Sequence, residues 1–273
     1  MTKIAVLGTG RMGASVALCL LDAGHQVTVW NRTAARAAPL GQAGADVART
    51  PAGAARDAEV AITMLTDAAA AEAVLFGPDG AAPALPPGAC LVEMSTIGPA
   101  AVHALATRLP ATVDLVDAPV GGSVTAARAG RLRVLAGGTD DAVARVGPVL
   151  AALGAVRHCG GTGSGAALKL VLNTALLVAL GGLADTLAVA RAVGVDPTAA
   201  LDALAGGPLG GVLGRAAARD ADFPVALAGK DLDLARAALG ATAAPLVRAT
   251  RTVLDAAPDP TADIATLVNL ERS

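Results

Sequence analysis

The stretch KIAVLGTGRMG, residues 3–13, decides the fold class of this chain. Its opening, KIAVLG, is an apolar run that ends in glycine, as expected for a parallel strand buried on both faces. The spacing G-x-G-x-x-G follows at Gly8, Gly10 and Gly13, and helical apolar spacing comes next. A strand, a glycine-rich turn and a helix in that order predict a turn that binds a dinucleotide.

Each glycine of this turn meets a separate physical need. Gly8 allows the tight turn, Gly10 lets the backbone approach a pyrophosphate, and Gly13 lets the helix pack on the strand. The N–H groups at the start of the helix bind the anion, so Arg11 and Met12 are also predicted to line the cofactor. A glycine-rich turn without a ligand is the alternative, which the strand–helix context disfavours.

The end of the second predicted strand, QVTVWN at residues 26–31, indicates which dinucleotide binds. An NAD site usually carries Asp or Glu there, for the ribose 2′-hydroxyl. This chain has Asn31, Arg32 and Thr33 instead, and a guanidinium can pair with a 2′-phosphate. Thr33 either adds a hydroxyl to the site or caps the next helix. The pattern predicts NADP, with NADPH preferred over NADH.

Strand and helix signals alternate through the first part of the chain, which is typical of an α/β fold with a Rossmann-type, doubly wound, mostly parallel sheet. After about residue 160 the pattern is helical throughout, so an all-α C-terminal domain joined by a long interdomain helix is expected. We predict an NADP-binding domain at residues 1–160 and a helical substrate and dimerisation domain at 161–273. Further strands are predicted at 59–65, 89–95, 113–120 and 131–138; further helices are predicted at 166–193, from Pro197 with Asp196 as N-cap, at 230–257 with Pro245 ending or kinking one piece, and at 259–270.

Composition excludes several kinds of partner. The chain is 54 % apolar and 16 % charged with a net charge of −2, values that predict a compact globular protein and no nucleic-acid binding. The three histidines have no metal-ligand spacing, and the longest uncharged run, residues 170–184, is too short for a bilayer. Three unpatterned cysteines indicate a cytoplasmic protein. Alanine-rich helices bury little area each, so a homodimer or higher homo-oligomer is expected.

The segment GTGSGAALKLVLN, residues 161–173, contains the best candidate for catalysis. Lys169 and Asn173 are four positions apart, so they share one face of the predicted helix. An amine beside a carbonyl that accepts hydride can protonate the developing alkoxide, and an amide can hold the lysine or the substrate oxygen. On spacing alone, a lysine that snorkels from a helix start is the open alternative.

Four separated segments, in this order, resemble the β-hydroxyacid dehydrogenase family, which includes 3-hydroxyisobutyrate dehydrogenases and glyoxylate or succinic semialdehyde reductases. They are AVLGTGRMG, HQVTVWNRT, DAPVGGSVTAARAGRL at residues 117–132, and GTGSGAALKLVLN; AGKDLDLA at 228–235 is similar to a further family segment. The resemblance covers nearly the whole chain. It implies that the long helix links two domains and that C-terminal helices pack between subunits.

The resemblance also implies roles for single residues. Lys169 would be the catalytic acid/base, with Asn173 as its neighbour in the site. Val120–Ser123, and so Gly121, Gly122 and Ser123, would bind a substrate carboxylate through N–H groups and the Ser123 hydroxyl. This stretch is similar to the semialdehyde reductase version of the signature, whereas other members often have Ser-Gly-Gly after the valine. Ser95 and Thr96 would lie near the nicotinamide, and Lys230 near the cofactor.

We therefore predict an NADPH-dependent oxidoreductase that acts on a small aldehyde or keto acid, or on a β-hydroxy acid in reverse. Its substrate is expected to be a small molecule that carries a carboxylate. An imine reductase is one alternative, which Lys169 disfavours, and a non-catalytic NADP-binding assembly module is another. No chemistry is predicted for Asp185, Asp231 or Asp233, which are expected to be solvated or to cap helices.

Overall fold

The chain folds into two compact units, Met1–Lys169 and a second unit that begins at Leu170. The computed structural model describes residues 1–218 and 221–268. The domain limits predicted from the sequence stay a prediction, because a compact unit is not by itself a domain that folds alone.

The first unit is built on one sheet, in which nine strands are described. The order is β3-β2-β1-β4-β5-β6-β8-β7, with β9 paired to β8. Strands β1 to β6 are parallel, whereas β8 is antiparallel to β6 and β7 and parallel to β9. This confirms the Rossmann-type, mostly parallel fold. The strands are β1 Lys3–Leu7, β2 Gln26–Trp30, β3 Asp46–Val47, β4 Val60–Thr63, β5 Cys90–Glu93, β6 Asp114–Asp117, β7 Val120–Gly121, β8 Leu132–Gly137 and β9 Gly154–Gly160.

Helices cover both faces of this sheet, which explains why β1 is apolar from its second residue to its last. Ile4 and Val6 belong to one buried cluster, while Ala5 and Leu7 belong to another on the opposite face. A strand covered on both sides cannot alternate polar and apolar residues. The helices of this unit are α1 Arg11–Asp22, α2 Ala38–Gln42, α3 Pro51–Ala55, α4 Ala68–Phe76, α5 Pro99–Ala106, α6 Val124–Arg128, α7 Asp140–Leu153 and the start of α8 Ser164–Ala192.

Strand β9 is the main element that the sequence pattern did not predict. It is exposed or half-buried along its length and pairs with β8 alone, so it lacks the apolar run of a covered strand. Its first residue, Gly154, has a φ of 151°, and a Cβ there would lie 2.0 Å from the carbonyl oxygen of Leu132. Glycine therefore lets β9 start close against β8.

The second unit is helical in its described residues, as predicted. After α8 come α9 Pro197–Ala205, α10 Gly210–Ala217, α11 Val225–Leu239, α12 Pro245–Asp255 and a 3-10 helix, Ile264–Val268. The Asp196 carboxylate accepts the N–H groups of Thr198 and Ala199, which confirms the predicted cap. Pro245 was predicted to end or kink a helix, which is wrong: it begins α12, where a missing N–H costs nothing. The last two residues of the predicted helix 259–270 lie outside the described residues.

Helix α8 forms the centre of the second unit's core. Leu177, Leu180, Leu183 and Leu187 are at most 2 % exposed and lie three or four positions apart, on one side of the helix. By length and hydropathy alone, α8 could also cross a membrane, and 39 % of its most apolar window is buried within the protein. A core helix of a soluble protein meets the same criterion, so one such helix is weak evidence for a membrane span.

Candidate dinucleotide and catalytic site

The glycine turn after β1 has the geometry that its sequence predicts. Gly8 has a φ of 101°, and a Cβ there would lie 2.4 Å from the carbonyl oxygen of Met64. A Cβ on Gly13 would lie 2.0 Å from the carbonyl oxygen of Gly8. At Gly10 a Cβ would meet none of the described atoms within 4 Å. Two glycines are therefore needed for packing, and the third faces open space.

The same turn leaves polar groups that suit a bound pyrophosphate. Gly10 is the N-cap of α1, so it provides no capping side chain, and the first turn has no acidic residue. The first N–H groups of a helix have no partner within the helix. The Thr9 hydroxyl is buried and has no hydrogen-bond partner among the residues that the structure describes. Arg11 is exposed and Met12 half-buried at the start of the helix. These residues fit a dinucleotide phosphate.

Asn31 connects the glycine turn to the end of β2 through side-chain hydrogen bonds. Its Oδ1 accepts the Thr9 N–H at 3.0 Å, and its Nδ2 donates to the carbonyl oxygen of Thr33 at 3.0 Å. The Gly8 N–H also donates to the Trp30 carbonyl at 2.9 Å. Arg32 and Thr33 are exposed, and within the described structure the Thr33 hydroxyl does not cap the 3-10 helix that follows. Thr33 is the N-cap residue of that helix by its position, but it caps the helix through its backbone carbonyl and not through its hydroxyl.

A buried carboxylate, which sequence reasoning missed, organises the end of β5. Glu93 is 1 % exposed; one of its oxygens accepts the Thr63 hydroxyl and the other accepts the Ser95 N–H, both at 2.7 Å. The Ser95 hydroxyl in turn accepts the Leu65 N–H at 2.8 Å. Burial raises the pKa of Glu93 to about 7, although the hydrogen bonds from Ser95 and Thr63 oppose this. Glu93 thus fixes the backbone just before Thr96, which is half-buried.

The predicted substrate segment joins β7 to α6. Gly121 ends β7, and Gly122 has a φ of 137°, which favours glycine. Ser123 is the N-cap of α6, and its hydroxyl oxygen accepts the Ala126 N–H at 3.2 Å. A hydroxyl that accepts in this way can still donate to a ligand. The roles of Gly121, Gly122 and Ser123 in substrate binding stay a prediction.

A second buried carboxylate holds the start of α8. Asp117, the last residue of β6, is fully buried and accepts the N–H groups of Gly163 at 2.6 Å and Ala166 at 2.7 Å. Burial raises the pKa of Asp117, and these two N–H groups oppose that effect. Lys169 follows three residues after Ala166 and is half-buried. The sequence analysis included Asp117 in the segment 117–132, which resembles a family signature, but predicted no role for its side chain.

In the second unit, a buried cluster surrounds Asn173. Asn173 is 6 % exposed, and its Nδ2 donates to Oδ2 of Asp231 at 2.5 Å. Asp231 is 3 % exposed, and its Oδ1 lies 3.0 Å from Nζ of Lys230. The expectation that Asp231 is solvated or caps a helix is therefore wrong. Its partner Asn173 lies 58 positions away in the chain, a separation that local patterns do not reveal.

The described residues contain no group of three or more His, Cys, Asp or Glu side chains arranged to hold a metal ion.

Comparison with known proteins identifies the class. The family profile for the NAD binding domain of 6-phosphogluconate dehydrogenase matches residues 3–162. The 3-hydroxyisobutyrate dehydrogenase of Pseudomonas aeruginosa is 35 % identical over 253 residues, 87 % of this chain and 85 % of that protein. The 3-sulfolactaldehyde reductase of Escherichia coli is 39 % identical over 191 residues, 69 % of this chain but only 64 % of that protein.

Solved structures show the same relationship. A 3-hydroxyisobutyrate dehydrogenase from Mycobacterium tuberculosis, in a structure with L-serine, matches with a TM-score of 0.85 at 29 % identity, over all of both chains. A reductive aminase from Aspergillus terreus, in complex with NADPH and ethyl levulinate, matches with a TM-score of 0.66 at 27 % identity, also over all of both chains. The chain belongs to the β-hydroxyacid dehydrogenase family.

Proposed function

We propose that this chain is an NADPH-dependent oxidoreductase that transfers hydride between nicotinamide and a small aldehyde or keto acid, or a β-hydroxy acid in the reverse direction. One observation carries the proposal. A glycine turn, which begins helix α1 without a capping side chain, is built on the same sheet as the start of the helix that contains Lys169. The first binds a pyrophosphate, and the second presents an amine.

Lys169 is the proposed acid/base. When bound, the dinucleotide supplies or accepts the hydride. Lys169 donates a proton to the carbonyl oxygen as negative charge develops there, and takes the hydroxyl proton in the reverse direction. Asn173 lies one helical turn further along α8. Its Nδ2 is engaged by Asp231, and its Oδ1 can accept a hydrogen bond from an ammonium or a substrate hydroxyl.

The substrate is proposed to carry a carboxylate. Backbone N–H groups of Gly121 and Gly122 and the hydroxyl of Ser123 are donors suited to a small anion, and Ser95 is the fourth proposed substrate residue. The cofactor is proposed to contact the glycine turn and the end of β2, with Arg32 pairing with the 2′-phosphate. The full set of proposed cofactor residues is Gly8, Gly10, Arg11, Met12, Gly13, Asn31, Arg32, Thr33, Thr96 and Lys230.

We further propose that the enzyme is a cytoplasmic homodimer or higher homo-oligomer. The second unit leaves large apolar side chains exposed, among them Val171, Val189 and Val193 at 62 %, 62 % and 68 %. Exposed apolar groups of this kind favour association with another protein surface. A second copy of the chain is the proposed partner, with neither nucleic acid nor membrane involved.

One second candidate follows from the likeness to the reductive aminase, namely the reduction of a C=N bond. The presence of Lys169 favours a carbonyl substrate, because an amine can deliver the proton that an alkoxide needs. A non-catalytic NADP-binding assembly module is a weaker candidate, since both Lys169 and Asn173 are present.

The proposal is tested by NADPH oxidation with glyoxylate, succinic semialdehyde, methylmalonate semialdehyde and a cyclic imine. Turnover of one or more of the aldehyde or keto acids supports the carbonyl reductase. Turnover of the imine alone favours the second candidate. Binding of NADPH without turnover of any compound favours the assembly module, and failure to bind either dinucleotide contradicts all three.

A further inference from the structure

The carboxylate of Asp117 joins the end of a sheet strand to the first turn of the helix that contains Lys169. Both of its oxygens are used: Oδ1 accepts the N–H of Gly163, and Oδ2 accepts the N–H of Ala166. These bonds lie at 2.6 and 2.7 Å and are buried. A carboxylate at a helix N-terminus satisfies N–H groups that have no partner within the helix, and it is stabilised by the helix dipole.

Glycines make this junction tight on the side of β8. A Cβ on Gly137 would lie 2.6 Å from Oδ1 of Asp117 and 2.8 Å from the nitrogen of Gly165. A Cβ on Gly165 would lie 2.0 Å from the carbonyl oxygen of Leu135. The helix start therefore rests directly on the sheet backbone. Because no side chains separate the two backbones at this point, the helix start cannot shift without a backbone clash.

The junction sets the point from which Lys169 extends. Lys169 comes three residues after Ala166, which is about 4.5 Å along a helix axis. We propose that Asp117 is a positioning residue for the reaction, an inference that rests on the function proposed for Lys169. Asp117 fixes the first turn of α8 on the sheet and so places the amine of Lys169. Asp117 lies in the segment that resembles a substrate-binding signature, yet both its oxygens are engaged by backbone N–H groups.

The first test replaces Asp117 with asparagine, which has nearly the same shape. An asparagine can accept one of the two N–H groups, but its NH₂ faces the other, so the helix start must shift. A displacement of about 1 Å can cost about 100-fold in rate, and that is the expected fall in kcat for D117N. Binding of NADPH is expected to stay within a factor of about three, under 1 kcal/mol. Asp114→Asn is the matched control, because Asp114 begins the same strand and is exposed with Arg145.

A double variant separates positioning from a general loss of structure. If Asp117 acts through Lys169, then D117N/K169A turns over no more slowly than K169A alone, because effects on one unit are not additive. A purely structural role predicts that the two losses multiply. That result would overturn the inference.

A second pair of variants leaves the carboxylate intact, in case D117N does not fold. Gly165→Ala pushes the helix start away from the Leu135 carbonyl, whereas at Gly161 a Cβ would meet none of the described atoms within 4 Å. The expected result is a fall in kcat for G165A, with NADPH binding retained and G161A unchanged. Wild-type kcat in folded G165A would contradict the inference.

The outcomes of these experiments distinguish a failure of the inference about Asp117 from a failure of the role proposed for Lys169. If K169A loses turnover but D117N keeps the wild-type kcat, the inference fails and the proposed function stands. If K169A keeps full turnover, the acid/base role proposed for Lys169 fails, and the catalytic role of Asp117 fails with it. Amide hydrogen exchange at Gly163 and Ala166 then still shows whether Asp117 holds the helix, since exchange is expected to be faster in D117N.

Discussion

Lys169 is the side chain on which the proposed chemistry depends. Replacing it with alanine is expected to lower kcat by about 100-fold to 10,000-fold, the usual contribution of a positioned acid. Calorimetric titration should show nearly unchanged NADPH binding. Lys3→Ala, which changes an exposed lysine in β1, is the matched control and should be fully active. Full activity of K169A would contradict the proposed mechanism.

Arg32 is expected to set the choice between dinucleotides. Hydrogen bonds to charged groups contribute roughly 1.5–3 kcal/mol, so Arg32→Ala should weaken NADPH by about tenfold or more. NADH lacks the 2′-phosphate and should be affected little. Dissociation constants for both dinucleotides measure this, with Arg56→Ala as a control at another exposed arginine. An equal loss for NADPH and NADH would contradict the NADP assignment.

Glu93 is expected to make stability depend on pH. Its pKa is raised from 4.5 to about 7 by burial, so between these values the folded protein holds a proton that the unfolded chain releases. The free energy of unfolding therefore falls as pH rises through this window, by about 3 kcal/mol once the pH is above the folded-state pKa. Below the unfolded-state pKa of 4.5, Glu93 is protonated in both states, so the raised pKa does not lower the free energy of unfolding.

The measurement compares urea unfolding of the wild type and Glu93→Gln across that window. The glutamine variant does not titrate, so its free energy of unfolding should lack this fall. Parallel pH profiles for the two proteins would contradict this prediction, because they would mean that folding does not raise the pKa of Glu93.

At the residue scale, sequence reasoning identified groups that carry a local signal. Gly8 and Gly13 follow from a turn motif, and the structure shows why a Cβ fits at neither position. Asp117, Asp231 and Glu93 could not be assigned in this way. The hydrogen-bond partners of Asp117 lie 46 and 49 positions away in the chain, that of Asp231 lies 58 positions away, and Thr63 lies 30 positions from Glu93. These contacts form only when the chain folds, so local sequence patterns do not contain them.

Helix α1 and the turn before it form the element that is proposed to bind the pyrophosphate. Gly13→Ala should push the helix away from the Gly8 carbonyl, which a Cβ would approach to 2.0 Å, and so weaken both dinucleotides by tenfold or more, about 1.4 kcal/mol. Gly147→Ala in α7, where a Cβ meets none of the described atoms within 4 Å, is the control and should stabilise the helix slightly. Dissociation constants and melting temperatures of both variants check this, and unchanged binding in G13A would contradict it.

Helices and strands with a clear pattern of apolar residues were predicted from the sequence, and those without such a pattern were not. Covered strands carry a continuous apolar run, as in residues 4–7 of β1, and the alternation with helices placed them in a parallel sheet. Strand β9 has no such signal, because it is exposed and pairs only with β8. Pro245 was assigned to a break because proline ends helices, but it fits equally at a first position, and only the fold decides between the two.

The whole molecule is expected to associate. Light scattering at micromolar concentration should give at least the mass of a dimer, because the second unit exposes Val171, Val189 and Val193. Val189→Asp should weaken the assembly if that side of α8 is covered by a second copy. A monomer of the wild-type chain would contradict the proposal.

At the scale of the whole molecule, the class of protein could be predicted from the sequence, whereas its substrate could not. Separated motifs carried the family resemblance, and the profile match over residues 3–162 confirms it. Substrate choice depends on the side chains that face the reacting group, and their facing is set by tertiary packing, which single-sequence patterns do not contain.

The position of Trp30 has a practical consequence. The chain contains one tryptophan and no tyrosine, and Trp30 sits at the end of β2, where its carbonyl accepts the Gly8 N–H and its indole donates to the Arg49 carbonyl. Intrinsic emission excited at the red edge of protein absorption therefore arises from one indole beside the glycine turn. Reduced nicotinamide absorbs where indole emits. Quenching by energy transfer would thus report occupancy of this turn without any label.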